Sequence, residues 1–227
     1  MATKTKTSTR VAIIVIAVLM LFSTIGLYIM VVINSQQQRD DSNKQQALST
    51  ELQTLLAERQ KKVDAQAKEL SAKYYDIFKP FKDHPKAFNA ENVKELKTED
   101  LVVGDGAEIT KDTKYSAYYI GWQPDGSVFD SSFSDGSLKT PIASGSLIAG
   151  WTEGVIGMKF GGVRQLTIPA SKAYGITGSG TKGQAGYIPP NTPLKFIVLV
   201  IPQVEDIPYT DRTLELYKQL YGSQTTS

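Results

Sequence analysis

Leu194-Lys-Phe-Ile-Val-Leu-Val-Ile201 is a nearly unbroken apolar run rich in β-formers, the pattern of a central strand with both faces covered. Upstream, Gly162-Val-Arg-Gln-Leu-Thr-Ile-Pro169 alternates cleanly, with Val163, Gln165 and Thr167 on one side and Arg164, Leu166 and Ile168 on the other. Tyr115-Ser-Ala-Tyr-Tyr-Ile120 alternates in part. Pro124-Asp-Gly126 then marks a turn, because proline presets φ and glycine relieves the strain after it. Ser127-Val-Phe-Asp130 resumes a strand. Among these strands, Trp151-Thr-Glu-Gly-Val-Ile-Gly-Met158 has room for only about two or three helical turns. The pattern predicts an α+β domain after about Lys97, a curved antiparallel sheet wrapped on a short helix.

The N-terminal part is of another kind. Val11 to Ile33 carries no charge and only Ser23 and Thr24 as polar residues, and about 20 apolar residues suffice to cross a bilayer. The run is longer than a signal-peptide core and no small-x-small cleavage site follows it, so 11–33 reads as a transmembrane helix. Lys4, Lys6 and Arg10 precede it without an acidic neighbour, whereas Asp40 and Asp41 follow it. Residues 1–10 are therefore expected in the cytoplasm, with everything after the span extracytoplasmic.

Residues 34–80 are rich in Gln, Lys, Glu, Ala and Leu, and the first proline is Pro80, which predicts a long helical stalk. Leu56, Val63, Leu70 and Ile77 recur every seven residues, with Gln60, Ala67 and Tyr74 between them. Two readings stay open: a coiled coil that makes a homodimer, or a single helix whose stripe lies on the following domain. Residues 81–95, with His84 between two prolines, read as a polar linker. Within 205–227 the segment Asp211–Tyr221 reads as a short amphipathic helix with Leu214, Tyr217, Leu220 and Tyr221 along one stripe.

Composition narrows the chemistry. The 227 residues include no cysteine, which excludes disulfides, thiolate metal sites and thiol nucleophiles. A single histidine, His84, excludes a multi-histidine metal centre. A net charge of +2 argues against a nucleic-acid partner, which would call for a basic stripe.

Several blocks, in order, carry a resemblance: Tyr119-Ile-Gly-Trp122, Asp125-Gly-Ser-Val-Phe-Asp-Ser-Ser132, Gly150-Trp-Thr-Glu-Gly-Val155, Ile168-Pro169, Ala173-Tyr-Gly175, Tyr187-Ile-Pro-Pro-Asn191 and Leu194-Lys-Phe196. This ordered set resembles FKBP-type peptidyl-prolyl cis-trans isomerases, or rotamases, across about 96–204. The resemblance implies an FKBP-like sheet wrapped on a helix and proline-containing polypeptides as substrates, with no cofactor or metal. It also implies a pocket with Trp151 as floor and Tyr119, Phe129 and Phe196 as walls, flanked by Leu147 and Ile148. The Ile148 amide and the Tyr174 hydroxyl would bond substrate carbonyls, Asp130 would stand at the rim, and Tyr187 and Ile188 would belong to a loop over the pocket.

The reaction suits such residues. Resonance holds an X-Pro amide planar behind a barrier of about 18–20 kcal/mol, and twisting it requires no nucleophile. A site need only prefer the twisted form. Two departures bear on the pocket: Ile142 stands where many members have an aromatic, and Thr140 where a second is common. The Gly-rich stretch 176–187 is longer than in small members and could select substrates. An alternative to catalysis is a membrane-tethered holdase chaperone that grips proline segments without turning them over.

Overall fold

The computed structural model describes the backbone of residues 7–222, and side chains for residue 25 and residues 28–222. Two compact units divide the chain: Arg59–Pro208, and Met1–Glu58 with Tyr209–Ser227. The N-terminal tail and most side chains of the apolar run 11–33 lie outside the described residues. Among those described, no helix is long and apolar enough to cross a membrane.

Arg59–Pro208 contains the end of helix α1 (Thr7–Phe78) followed by β1 (Lys97–Val102), β2 (Tyr115–Trp122), β3 (Val128–Ser131), β4 (Phe133–Ser134), β5 (Ser137–Leu138), β6 (Ile142–Ala143), the helix α2 (Ala149–Gly154), β7 (Val163–Ile168) and β8 (Leu194–Pro202). The main sheet runs β1-β7-β8-β2-β3, with β6 also paired to β2 and β4–β5 a separate hairpin. Every pairing is antiparallel.

Alternation along the central strands builds two cores. Tyr115, Ala117, Leu166, Ile168, Leu194, Phe196, Val198 and Val200 face α2 and pack around Trp151 and Val155. The opposite face presents Tyr118, Ile120, Trp122, Val163, Ile197, Leu199 and Ile201 to Tyr74 and Phe78 of α1. An antiparallel sheet commonly keeps one face in water. Here both are dry, which is why 194–201 is continuously apolar rather than alternating.

The end of α1 is thus part of the domain. Phe78 is fully buried and stacked on Phe133 at 5.0 Å, Tyr74 lies against Tyr118, and Ser71 Oγ accepts from the Leu138 amide at 2.8 Å. At the end of the heptads, Leu70 and Tyr74 lie on the chain's own sheet, while Ile77 faces solvent. The helix stops before a 3-10 turn at Lys79–Phe81, where Pro80 removes an amide donor.

The segment 81–95 is strapped down rather than slack. The Trp122 indole donates to Lys86 O at 3.0 Å, the Phe88 amide donates to Pro124 O at 2.8 Å, and the Lys195 ammonium sits 5.0 Å from the Phe88 ring centre. His84 remains exposed, as a polar loop predicts.

In the other unit, helix α3 (Asp211–Tyr221) is capped by Thr210, whose hydroxyl accepts from the Thr213 amide. Arg212 forks onto Glu51 at 2.7 and 2.8 Å. The buried positions are Thr213 and Leu216, not the expected stripe: Leu214, Tyr217 and Tyr221 are exposed. Thr213, Leu216 and the half-buried Leu220 repeat at i, i+3 and i+7, a face turned aside from the one read by counting leucines and tyrosines.

Candidate active site

Four aromatic rings from four elements meet on the α2 face of the sheet. Tyr119 comes from β2, Phe129 from β3, Trp151 from α2 and Phe196 from β8. Tyr119 stands edge-on to Trp151 with centroids 5.4 Å apart, Trp151 to Phe196 at 5.1 Å, and Phe129 to Phe196 at 5.5 Å. Edge-to-face contacts of this kind suit the ring quadrupoles and fix each ring against its neighbours. Trp151 and Phe196 are each 3% exposed, while Tyr119 and Phe129 are half-buried, so the box has a closed bottom and an accessible side.

One polar pair edges the box. The Tyr119 hydroxyl donates to Asp130 Oδ2, and Asp130 Oδ1 accepts from the Ser131 amide at 2.8 Å. Tyr119 itself is held from behind, its amide donating to Ser132 Oγ at 2.9 Å. A cleft of about 380 Å³ opens over this edge, lined by Phe129, Asp130, Tyr174, Ser179, Ala185, Gly186 and Ile188. Its size lies within the roughly 300–1,000 Å³ usual for small-ligand sites.

Leu147, Ile148 and Ile142 pack against the same core. Ile148 precedes α2, and its carbonyl accepts from the amides of Trp151 and Thr152; among the described residues its own amide has no acceptor. Ile188 is 2% exposed and reaches the cleft. Tyr187 does not line the cleft; its carbonyl accepts from Gln123 Nε2 at 2.9 Å, which ties the loop down at its base. Thr140 is elsewhere, in a groove with Asp64, Lys68 and Tyr75.

Ser179, Ala185, Gly186 and Gln123 were not foreseen. The Gly-rich stretch hinted at the first three, but only the reciprocal hydrogen bonds of Ser179 and Ile188, at 2.9 and 2.8 Å, bring the loop back over β3.

Residues 106–201 match the family model described as FKBP-type peptidyl-prolyl cis-trans isomerase. A protein named FK506-binding protein from Neisseria meningitidis serogroup A is 41% identical over 108 residues, which are 47% of this chain and 94% of that one. The chain belongs to the FKBP-type peptidyl-prolyl cis-trans isomerase family. Another relative, peptidyl-prolyl cis-trans isomerase FKBP13, chloroplastic, of Arabidopsis thaliana, is 42% identical over 104 residues, covering 43% of this chain and 50% of that one. Among solved structures, the crystal structure of AtFKBP13 is similar, with 39% identity, 48% of this chain and 93% of that chain covered, and a TM-score of 0.41.

Electrostatics at this candidate site raise both phenols. Burial is the main cause that pushes the Tyr119 hydroxyl far above the ordinary tyrosine value; the hydrogen bond to Asp130 and the charge of that carboxylate add to it. Burial and Asp130 raise Tyr174 in the same way. Beneath the box the Trp151 indole N–H is buried and makes no hydrogen bond among the described residues. Tyr115 lies close enough to feel it: burial raises that phenol and the indole N–H draws it partway back. The cleft beside the rings is bordered by Phe129 and Ile188 together with Asp130, Tyr174 and Ser179, while Trp151 and Phe196 are buried and do not line it.

Proposed function

We propose that this isomerase is anchored by residues 11–33 and turns X-Pro bonds in exported or cell-envelope polypeptides on the extracytoplasmic side of a membrane. What carries the catalytic part is the four-ring box open beside the Tyr119–Asp130 pair. The anchor rests on the uncharged run itself, and the orientation on Lys4, Lys6 and Arg10 before it against Asp40 and Asp41 after it.

In this reading the prolyl ring lies on Trp151, walled by Tyr119, Phe129 and Phe196, where water is excluded. As the amide twists, resonance is lost and a lone pair localises on the proline nitrogen. The Ile148 amide and the Tyr174 hydroxyl hold the carbonyls on either side, and Asp130 fixes the Tyr119 wall and faces the changing dipole at the rim. A bound twisted amide favoured over the planar one by about 1.4 kcal/mol gains about tenfold in rate.

A protease-coupled prolyl-peptide assay on the full chain in detergent micelles tests the activity, with exchange expected well above the spontaneous rate; no acceleration at micromolar protein rejects it. For the topology, protease added to intact cells should digest the isomerase domain but spare residues 1–10. Digestion only after permeabilisation overturns the proposed orientation.

A further inference from the structure

The helix that carries Trp151 has six residues and under two turns, too few to hold its own geometry. Its last carbonyls find partners only outside the helix. Trp151 O and Glu153 O accept from the amides of Val155 and Ile156, and Arg164 Nη1 donates to Gly154 O at 2.9 Å and to Ile156 O, just past the helix, at 3.0 Å. The rest of the guanidinium forks onto Asp100, Nε to Oδ1 at 2.6 Å and Nη2 to Oδ2 at 3.0 Å. Asp100 faces Arg164 across the β1–β7 ladder, just before a bulge between Asp100 and Val102.

The strand beneath shows why an arginine sits there. Arg164, Leu166 and Ile168 project from the same side of β7 at intervals of two. A Cβ on Gly150 would fall 2.3 Å from Ile168 Cγ2, and one on Gly154 would fall 2.8 Å from Leu166 Cδ2, so the α2 backbone lies directly on these side chains. Those two contacts are apolar and without direction. The third point, beyond the helix end, is a directional fork only 8% exposed. Burying a guanidinium is a poor way to gain stability, since an apolar residue of similar volume commonly serves as well. A guanidinium held by a carboxylate fork, with its Nη1 donating to two carbonyls, does set axial register, as no apolar side chain can.

We propose that Arg164, held by Asp100, is a positioning residue for the isomerase reaction: it fixes α2 along β7 and thereby the place of Trp151 under the prolyl ring. This rests on Trp151 being the pocket floor as described above. A displacement of about 1 Å at a reacting group can lower a rate by about 10²-fold, so the effect is exerted on turnover.

The test uses the full chain in detergent micelles and four variants. Arg164→Lys keeps the charge and loses the fork, and Asp100→Asn loosens the fork from the other side. Val163→Ala creates a cavity on the opposite face of the same strand, away from α2. Glu153→Gln removes the exposed ion pair that joins α2 to Lys172. Turnover and KM for a prolyl peptide are measured by NMR exchange, Tm by circular dichroism, and the two tryptophans by 19F NMR after 5-fluorotryptophan labelling.

Expected is a loss of tenfold or more in kcat for Arg164→Lys, a smaller one for Asp100→Asn, little change in KM, and a shifted or broadened Trp151 resonance with Trp122 unmoved. Val163→Ala should lose as much Tm or more with kcat within twofold, and Glu153→Gln should change neither. Activity that merely tracks Tm across the set, or an unmoved Trp151 signal in Arg164→Lys, overturns the positioning role. An inactive wild type would instead reject the pocket assignment beneath it.

Discussion

Gly121 on β2 and Phe196 on β8 are register partners, and the space a Cβ on Gly121 would need is already held by the Phe196 ring, 2.7 Å away, and the Phe129 ring, 2.6 Å away. The aromatic box closes across the strand because that position lacks a side chain. Gly121→Ala is expected to force both rings outward, at about 1–3 kcal/mol of overpacking. Turnover of a prolyl peptide should fall at least tenfold, measured beside Tm on the same sample; unchanged turnover with an intact fold would show that the box tolerates a displaced wall.

Asp130→Ala separates the rim from the cavity. Asp130 is exposed, so the fold should lose about 1 kcal/mol or less. The Tyr119 hydroxyl loses its acceptor and the negative field that helps hold its proton, so its pKa should fall toward the ordinary value, with burial still keeping it raised. Ultraviolet titration of tyrosinate checks this, and an activity loss of about tenfold should accompany it. Retained prevention of aggregation by the same variant would mark any chaperone action as independent of catalysis.

Alkaline pH should unfold the domain earlier than a generic protein. Tyr115, Tyr119 and Tyr174 are all raised above the ordinary 10.0, and Tyr118, whose buried hydroxyl has no partner among the described residues, is pushed up to about 12, chiefly by burial. A folded-state pKa above the unfolded one means that the native state binds the proton more tightly. The associated stability is complete below pH 10 and is lost as pH rises toward 12. Denaturant midpoints should therefore be flat between pH 7 and 9 and fall steeply above 10. Since the site phenols keep their protons through that range, kcat/KM should not fall with tyrosine ionisation below pH 10.

Phe78→Ala should cost about 3–5 kcal/mol, because the ring is fully buried between the sheet and Phe133. By the same token a fragment beginning at Leu96 uncovers Tyr118, Ile120, Trp122, Ile197, Leu199 and Ile201. Strong dye binding and aggregation are expected of that fragment, and a discrete cooperative melt of one spanning 59–208; equal behaviour of the two would show that α1 is dispensable to the fold.

Much of the fold lies open in the linear pattern. Alternation in 163–168 assigned Arg164, Leu166 and Ile168 to one side of a strand, and they do share it. Pro80 ended the long helix within two residues of its last turn, because a missing amide acts locally. The spaced blocks from Tyr119 to Phe196 announced the family, and the four rings they contain converge in space. The stripe on α3 was misread because several apolar residues on a short helix permit two adjacent faces, and only the seat of Leu216 and the fork of Arg212 on Glu51 select one.

What composition and periodicity establish is whatever acts within a few residues: strand and helix type, their ends, the uncharged run, the absence of thiol chemistry. Contacts between segments far apart in the chain were decided by packing. Only when β8 is laid between β2 and β7 does its apolar run acquire two separate covers, and only then does Phe78 become core. Likewise Arg164 reads as the polar member of an alternating strand until the sheet brings Asp100 to one side of it and the C-terminal end of α2 to the other. Local pattern carries no term for such pairings, since their energy depends on distance in space and not on spacing along the backbone.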